Sequence, residues 1–103
     1  MDYFEEAERR GWHWETPAGL KIAMSVIREY DWACANRPWP KDVVHAAAKV
    51  AEEAGELVKA ANDHAYPDEA REGESLRRMR LEAVQVIVTG IRFLEHVGEE
   101  ALI

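Results

Sequence analysis

The apolar residues of this chain recur at intervals of three and four, and no useful length of it alternates with a period of two. Intervals of that kind gather apolar side chains on one side of a helix and would scatter them over both faces of a strand, so the chain is confined to helices. Leu20, Ala23, Ile27, Tyr30 and Cys34 form the first series. It opens at Thr16-Pro17, an N-cap followed by a proline whose missing N–H costs nothing in a first turn. It stops before Asn36-Arg37-Pro38-Trp39-Pro40, where each proline restricts itself and its predecessor. A second helix is expected from about Pro40 to about His64, with Val44, Ala47, Ala51, Ala54, Val58 and Ala61 as its contact face. That face is mostly alanine, which lets a neighbouring helix approach closely. Asn62 to Ser75 contains Pro67 and Gly73 among many charges and reads as a loop, before a third helix from about Leu76 to Val97. A short helix within Asp2 to Arg10 precedes Trp12 and Trp14.

With 103 residues the chain has material for one modest core, so a single all-α domain over residues 1–103 is expected, as an antiparallel, four-helix-bundle-like arrangement. Between Ala83 and Leu94 the third helix is apolar nearly all round. Three or four short helices of one chain can hardly cover such a helix, so oligomerisation is expected to complete the bundle. The net charge of −7 repels a polyanion, and no Lys/Arg stripe offsets it, which argues against duplex nucleic acid. A small phosphorylated ligand remains compatible with that charge if metal ions stand between carboxylates and phosphates. No apolar run approaches the ~20 residues of a membrane span. The acidic N-terminus lacks the order of a signal peptide, so a cytoplasmic protein without a membrane partner is expected. Cys34, the one cysteine, has no partner for a disulfide and reads as a small core residue.

The chemistry concentrates in two segments. In KVAEEAGELVKA, Lys49, Glu53 and Glu56 stand at i, i+4 and i+7 with Glu52 beside them. Like charges at helical spacing repel by a few tenths of a kcal/mol each, about 0.2–0.5, unless something cationic collects them. Taken alone, the cluster is equally well a solvated acidic face, partly neutralised by Lys49 and Lys59. The third helix shifts that balance, because Glu82, Gln85, Thr89, Arg92 and His96 follow one another at intervals of three and four along an otherwise apolar helix. Buried polar groups need partners, which here are the Lys49/Glu53/Glu56 line, a metal or a ligand. An internal ion-pair network between Arg92 and the glutamates is the structural alternative. Carboxylates on two facing helices are the hard oxygen donors that Mg²⁺ prefers. Such a pair can also position or deprotonate a water, and no nucleophile with an adjacent base competes with this reading.

These segments resemble the MazG-like, all-α nucleoside triphosphate pyrophosphohydrolase superfamily over about Val43 to Val97. The family pattern is ExxE on one helix, here Glu53-Ala54-Gly55-Glu56 preceded by Glu52, and ExxD on a later one, here Glu82-Ala83-Val84-Gln85. The resemblance implies hydrolysis of a (d)NTP to the monophosphate and pyrophosphate with Mg²⁺, or Mn²⁺ in its place. It implies metal binding by Glu52, Glu53, Glu56, Glu82 and Gln85, a catalytic role for Glu53 and Glu56, phosphate contact by Lys49, and a homodimer or homotetramer. Gln85 departs from the pattern, since an amide oxygen can coordinate Mg²⁺ but brings no charge. Weaker metal binding is therefore expected, and a non-catalytic module that binds nucleotide or protein is the alternative. The KVAEEAGELVKAAND segment is also similar to phosphoribosyl-ATP pyrophosphatase of the same superfamily.

Four tryptophans, at positions 12, 14, 32 and 39, are many for this length, and an indole face can stack a nucleobase. Packing is the commoner use, with Trp14 and Trp39 the better stacking candidates because they fall in expected loops. His45, one turn before Lys49, is a candidate substrate contact, as is Arg92. His13 and His64 read as loop residues. His96, near a helix end, reads as a partner of the helix dipole.

Overall fold

The computed structural model describes residues 17–66 and 75–98, together with Glu5 and Arg9. It contains three long helices, α1 (Pro17–Asn36), α2 (Val43–Ala65) and α3 (Ser75–Val97). No strand occurs among the described residues, so the all-α class holds. Of the short helix expected within residues 2–10, only Glu5 and Arg9 are described, both helical. Most of the loop expected between α2 and α3 lies outside the described residues. Among those described, no helix is long and apolar enough to cross a membrane.

Local chemistry sets the helix ends. α1 begins at Pro17, as its missing N–H allows. α2 begins at Val43, three residues later than the expected Pro40, because Asp42 takes the cap: its extended backbone turns its carboxylate onto the His45 N–H at 3.0 Å. α2 also runs on to Ala65, so His64 is a last-turn residue rather than a loop residue. Its Nδ1 meets the hydroxyl of buried Ser75, the first residue of α3, at 2.9 Å. Arg78 reaches Asp63 at 2.9 Å. These two contacts join the end of α2 to the start of α3 and align the pair antiparallel. α3 ends at Gly98, whose φ of 92° is open to glycine and strained for other residues, and whose N–H closes on the Leu94 carbonyl at 3.1 Å.

α2 and α3 pack along their lengths, whereas α1 touches α3 and brings no Cα within 8 Å of α2. Glu29 and Tyr30, neighbours on α1, bond to Gln85 and Glu95. Ten residues of helix span ~15 Å, so α1 crosses α3 rather than lying alongside it. The described helices therefore form an antiparallel pair with a third helix laid across one member, and do not close a four-helix bundle by themselves.

Ala33, Ala46, Ala60 and Val88 are the buried apolar residues among those described, so only one core side chain is larger than alanine. The packing faces differ from those expected. On α2 the face toward α3 runs through Ala46, Val50, Glu53, Leu57 and Ala60, while Val44 and Val58 of the expected face are 72% and 68% exposed. On α1 the inner series is Ala23, Val26, Glu29 and Ala33, while Leu20 and Ile27 are 58% and 59% exposed. Cys34, expected in the core, is exposed on that same outer side. The cause is common to both helices. The expected faces followed the most apolar stripe, and the faces that pack inward include charged residues.

Candidate functional site

The inward charges meet in one place. An open groove of about 630 Å³ is lined by Glu29 of α1, Glu52, Glu53 and Glu56 of α2, and Glu82 and Gln85 of α3, with Trp32 and Arg37 at its rim. Glu82 and Gln85 of α3 share this groove with the α2 glutamates as expected, but among the described residues no hydrogen bond or ion pair joins the two polar lines, and His96 lies outside the groove. Within the groove Gln85 donates its side-chain N–H to Glu29. Thr89, one turn on, donates its hydroxyl back to the Gln85 carbonyl at 2.9 Å and so faces its own helix. Lys49 stands 3.7 Å from Glu52 in a largely exposed ion pair.

Glu53 is the carboxylate most affected by this crowding. Partial burial pushes its pKa above the ordinary value, and the neighbouring charges of Glu82, Glu52 and Glu56 push the same way, against the pull of Arg37. A carboxyl held in this way retains its proton more readily than a solvated one. The donor set of hard oxygens suits Mg²⁺. The side chains surround the groove without converging: no three His, Cys, Asp or Glu residues among those described are gathered closely enough to hold an ion. A bound cation would have to draw them in by rotamer changes, which the exposed glutamates can make.

A second, smaller cavity of about 230 Å³ adjoins the groove and shares Arg37, Glu53 and Gln85 with it. Trp39, Lys49, Thr89 and Arg92 line its other sides. Arg92 donates to the Arg37 carbonyl at 2.9 Å, and its guanidinium lies 4.9 Å from the centre of the Trp39 ring. The two prolines keep the Arg37–Pro40 segment extended, and Arg92 pins it against α3. Arg92 covers one face of Trp39, the candidate for base stacking, and leaves only the other side open to a ring. Its Nε1 is closed off without an acceptor among the described residues, an arrangement that costs ~1–3 kcal/mol. Neither Arg37 nor Arg92 forms an ion pair among the described residues, so the internal Arg92–glutamate network is not formed.

The remaining candidates lie elsewhere. His45 is exposed in the first turn of α2 and lines neither cavity, and Trp14 lies outside the described residues. His96 sits in the last turn of α3. Three residues of the site were not anticipated from sequence: Glu29, Trp32 and Arg37, the last with its guanidinium 5.0 Å from the Trp32 ring centre. The available signal was Glu29 itself, a carboxylate in register with Ala23, Val26 and Ala33 on α1.

No protein-family model matches this chain, and neither a curated protein nor a solved structure matches it.

Proposed function

We propose that the chain is an Mg²⁺-dependent nucleotide pyrophosphohydrolase of MazG-like type, cleaving a (d)NTP to the monophosphate and pyrophosphate. One observation carries the reading: five carboxylates from three helices line one open groove, and a cation-lined cavity adjoins it. Phosphoanhydride cleavage requires both environments, an acidic one for the cation and a basic one for phosphate oxygens. Glu52, Glu53, Glu56 and Glu82 hold the ion, with Gln85 and Glu29 beside them. Mg²⁺, or Mn²⁺ in its place, supplies charge neutralisation and a lowered pKa for the attacking water. Glu53 and Glu56 would orient that water. Lys49 and Arg92 face the phosphates.

The protein acts as a homodimer or homotetramer in this reading. Exposed Leu20, Met24 and Ile27 on α1 and Val44 and Val58 on α2 are the surfaces a second copy covers. The location that suits this chemistry is the cytoplasm.

Pyrophosphate release from a panel of dNTPs and NTPs with Mg²⁺, beside a Glu53→Gln control, tests the proposal. Release that vanishes in the control supports it, and absence of release with every substrate overturns it. A second reading, a non-catalytic nucleotide- or protein-binding module, is favoured by Gln85 itself, whose amide brings no charge to a cation and donates to Glu29. Gln85→Asp separates the two. A gain in Mg²⁺ affinity of roughly tenfold, as one added ligand charge supplies, marks a metal groove. Unchanged affinity favours the module.

A further inference from the structure

The smaller cavity differs from the groove in its charge. Five carboxylates and one arginine line the groove, whereas three cations, Arg37, Lys49 and Arg92, and one carboxylate, Glu53, line the cavity. In a chain with a net charge of −7, three cations turned toward one small space are held against their mutual repulsion. Lys49 pairs with Glu52 at 3.7 Å, whereas Arg37 and Arg92 form no ion pair within 4.0 Å among the described residues, Arg37 acting on Glu53 only at longer range. Arg92 is also fixed in position. One nitrogen donates to the Arg37 carbonyl and the guanidinium plane rests by Trp39, which leaves its other N–H groups free of intramolecular acceptors among the described residues. Trp39 leaves its own N–H unpaired there. What the indole gains in that place is the contact of its face with Arg92.

We propose that the cavity between Lys49, Arg37 and Arg92 binds a pyrophosphate group directly, through charge-assisted hydrogen bonds that need no metal, with Trp39 as the positioning residue for Arg92. The choice of pyrophosphate rests on the pyrophosphohydrolase reading; the charge argument for an oxyanion does not. The shared wall of Arg37, Glu53 and Gln85 sets the bound group directly against the acidic groove. One end of a polyphosphate is then held by fixed cations, and the bond to be cleaved lies over the carboxylates.

Calorimetric titration of the full chain with inorganic pyrophosphate, in buffer stripped of divalent ions by a chelator, tests this. Wild-type protein is expected to bind. Arg92→Gln and Lys49→Gln each weaken binding roughly ten- to hundredfold, the loss of one charge-assisted contact. Lys49 lies on α2 away from the Arg37–Pro40 segment, so its variant tests the cavity even if Arg92→Gln perturbs folding. Trp39→Ala weakens binding as well, and Trp39→Phe restores most of it by offering Arg92 an aromatic face again, a rescue that loss of the N–H alone would not permit. Absence of pyrophosphate binding by the wild type, or equal binding by the Lys49 and Arg92 variants, overturns the assignment. Titration with Mg²⁺ alone reads the groove separately. Failure there with pyrophosphate binding intact removes the metal reading and leaves the cavity standing, and the reverse pattern removes the cavity only.

Discussion

The two sides of α2 invert the usual arrangement. The side that packs against α3 carries Glu53 among its small and apolar residues, whereas Val44, Ala47, Ala51 and Val58 form an apolar stripe open to solvent. A helix folding for its own chain alone would turn that stripe inward. The inversion sets the two sides apart: the inner side brings charge to the groove, and the outer side leaves an apolar stripe exposed, the surface that the proposed self-association would bury.

Four substitutions test whether the two sides of α2 differ in this way, and the largest effect belongs to the inner side. Glu53→Gln is expected to lower the rate of pyrophosphate release by roughly 100- to 1,000-fold, within the range for loss of a general base, as measured by steady-state kinetics with Mg²⁺. On the outer side, Val58→Asp puts a charge into the apolar stripe. It is expected to weaken self-association by about 100-fold, equivalent to ~3 kcal/mol, read from molar mass by light scattering across a dilution series. A mass equal to that of the wild type would remove α2 from the interface. A matched pair comes next. Ala46 is fully buried, so Ala46→Leu overpacks the α2–α3 contact and should lower stability by ~1–3 kcal/mol in urea unfolding. Ala47→Leu, one residue on and exposed, should stay within about 0.5 kcal/mol in a dilute monomer. If the two leucines cost the same, the sides do not differ as described.

The smallest effect is a pH dependence. The pKa of Glu53 is raised in the folded chain, so the native state binds its proton more tightly than the unfolded state does. Stability from this group is therefore fully present below the ordinary carboxylate value of 4.5 and is lost as pH rises through the raised folded value. Glu53→Gln cannot ionise, so its melting temperature should rise relative to the wild type over that interval and then level off. A gap that narrows with rising pH would contradict the burial and like-charge crowding assigned to Glu53.

The helices were legible in the sequence because periodicity, Pro17 and the prolines after Asn36 act locally. That the polar line of α3 needs partners was legible, but the partners were not: Gln85 bonds to Glu29 of α1 and Arg92 to the Arg37 carbonyl, while the Lys49/Glu53/Glu56 line shares only the lining of the groove and cavity with it. The choice of packing face was not legible. Periodicity finds the most apolar stripe without indicating what it meets, and for Leu20 and Ile27, as for Val44 and Val58, it does not meet this chain. Glu29 and Arg37 escaped notice because neither belongs to an acidic motif. They reach the groove only because α1 crosses α3, and a crossing is a property of two helices together. Cys34 went with the wrong stripe for the same reason.

The manner in which α1 is attached has a kinetic meaning. α2 and α3 are neighbours in sequence and pack along their lengths, while among the described residues α1 meets them through a smaller patch on α3 and the pinned Arg37–Pro40 segment. Partial opening of a protein begins in its less extensively packed units, and of the two helices packed on α3, α1 has the smaller interface among the described residues. Because α1 brings Glu29 and Trp32 to the groove, its undocking and redocking are also the assembly and disassembly of one wall of the site. The rate of that motion sets an upper limit on how often the complete groove can form.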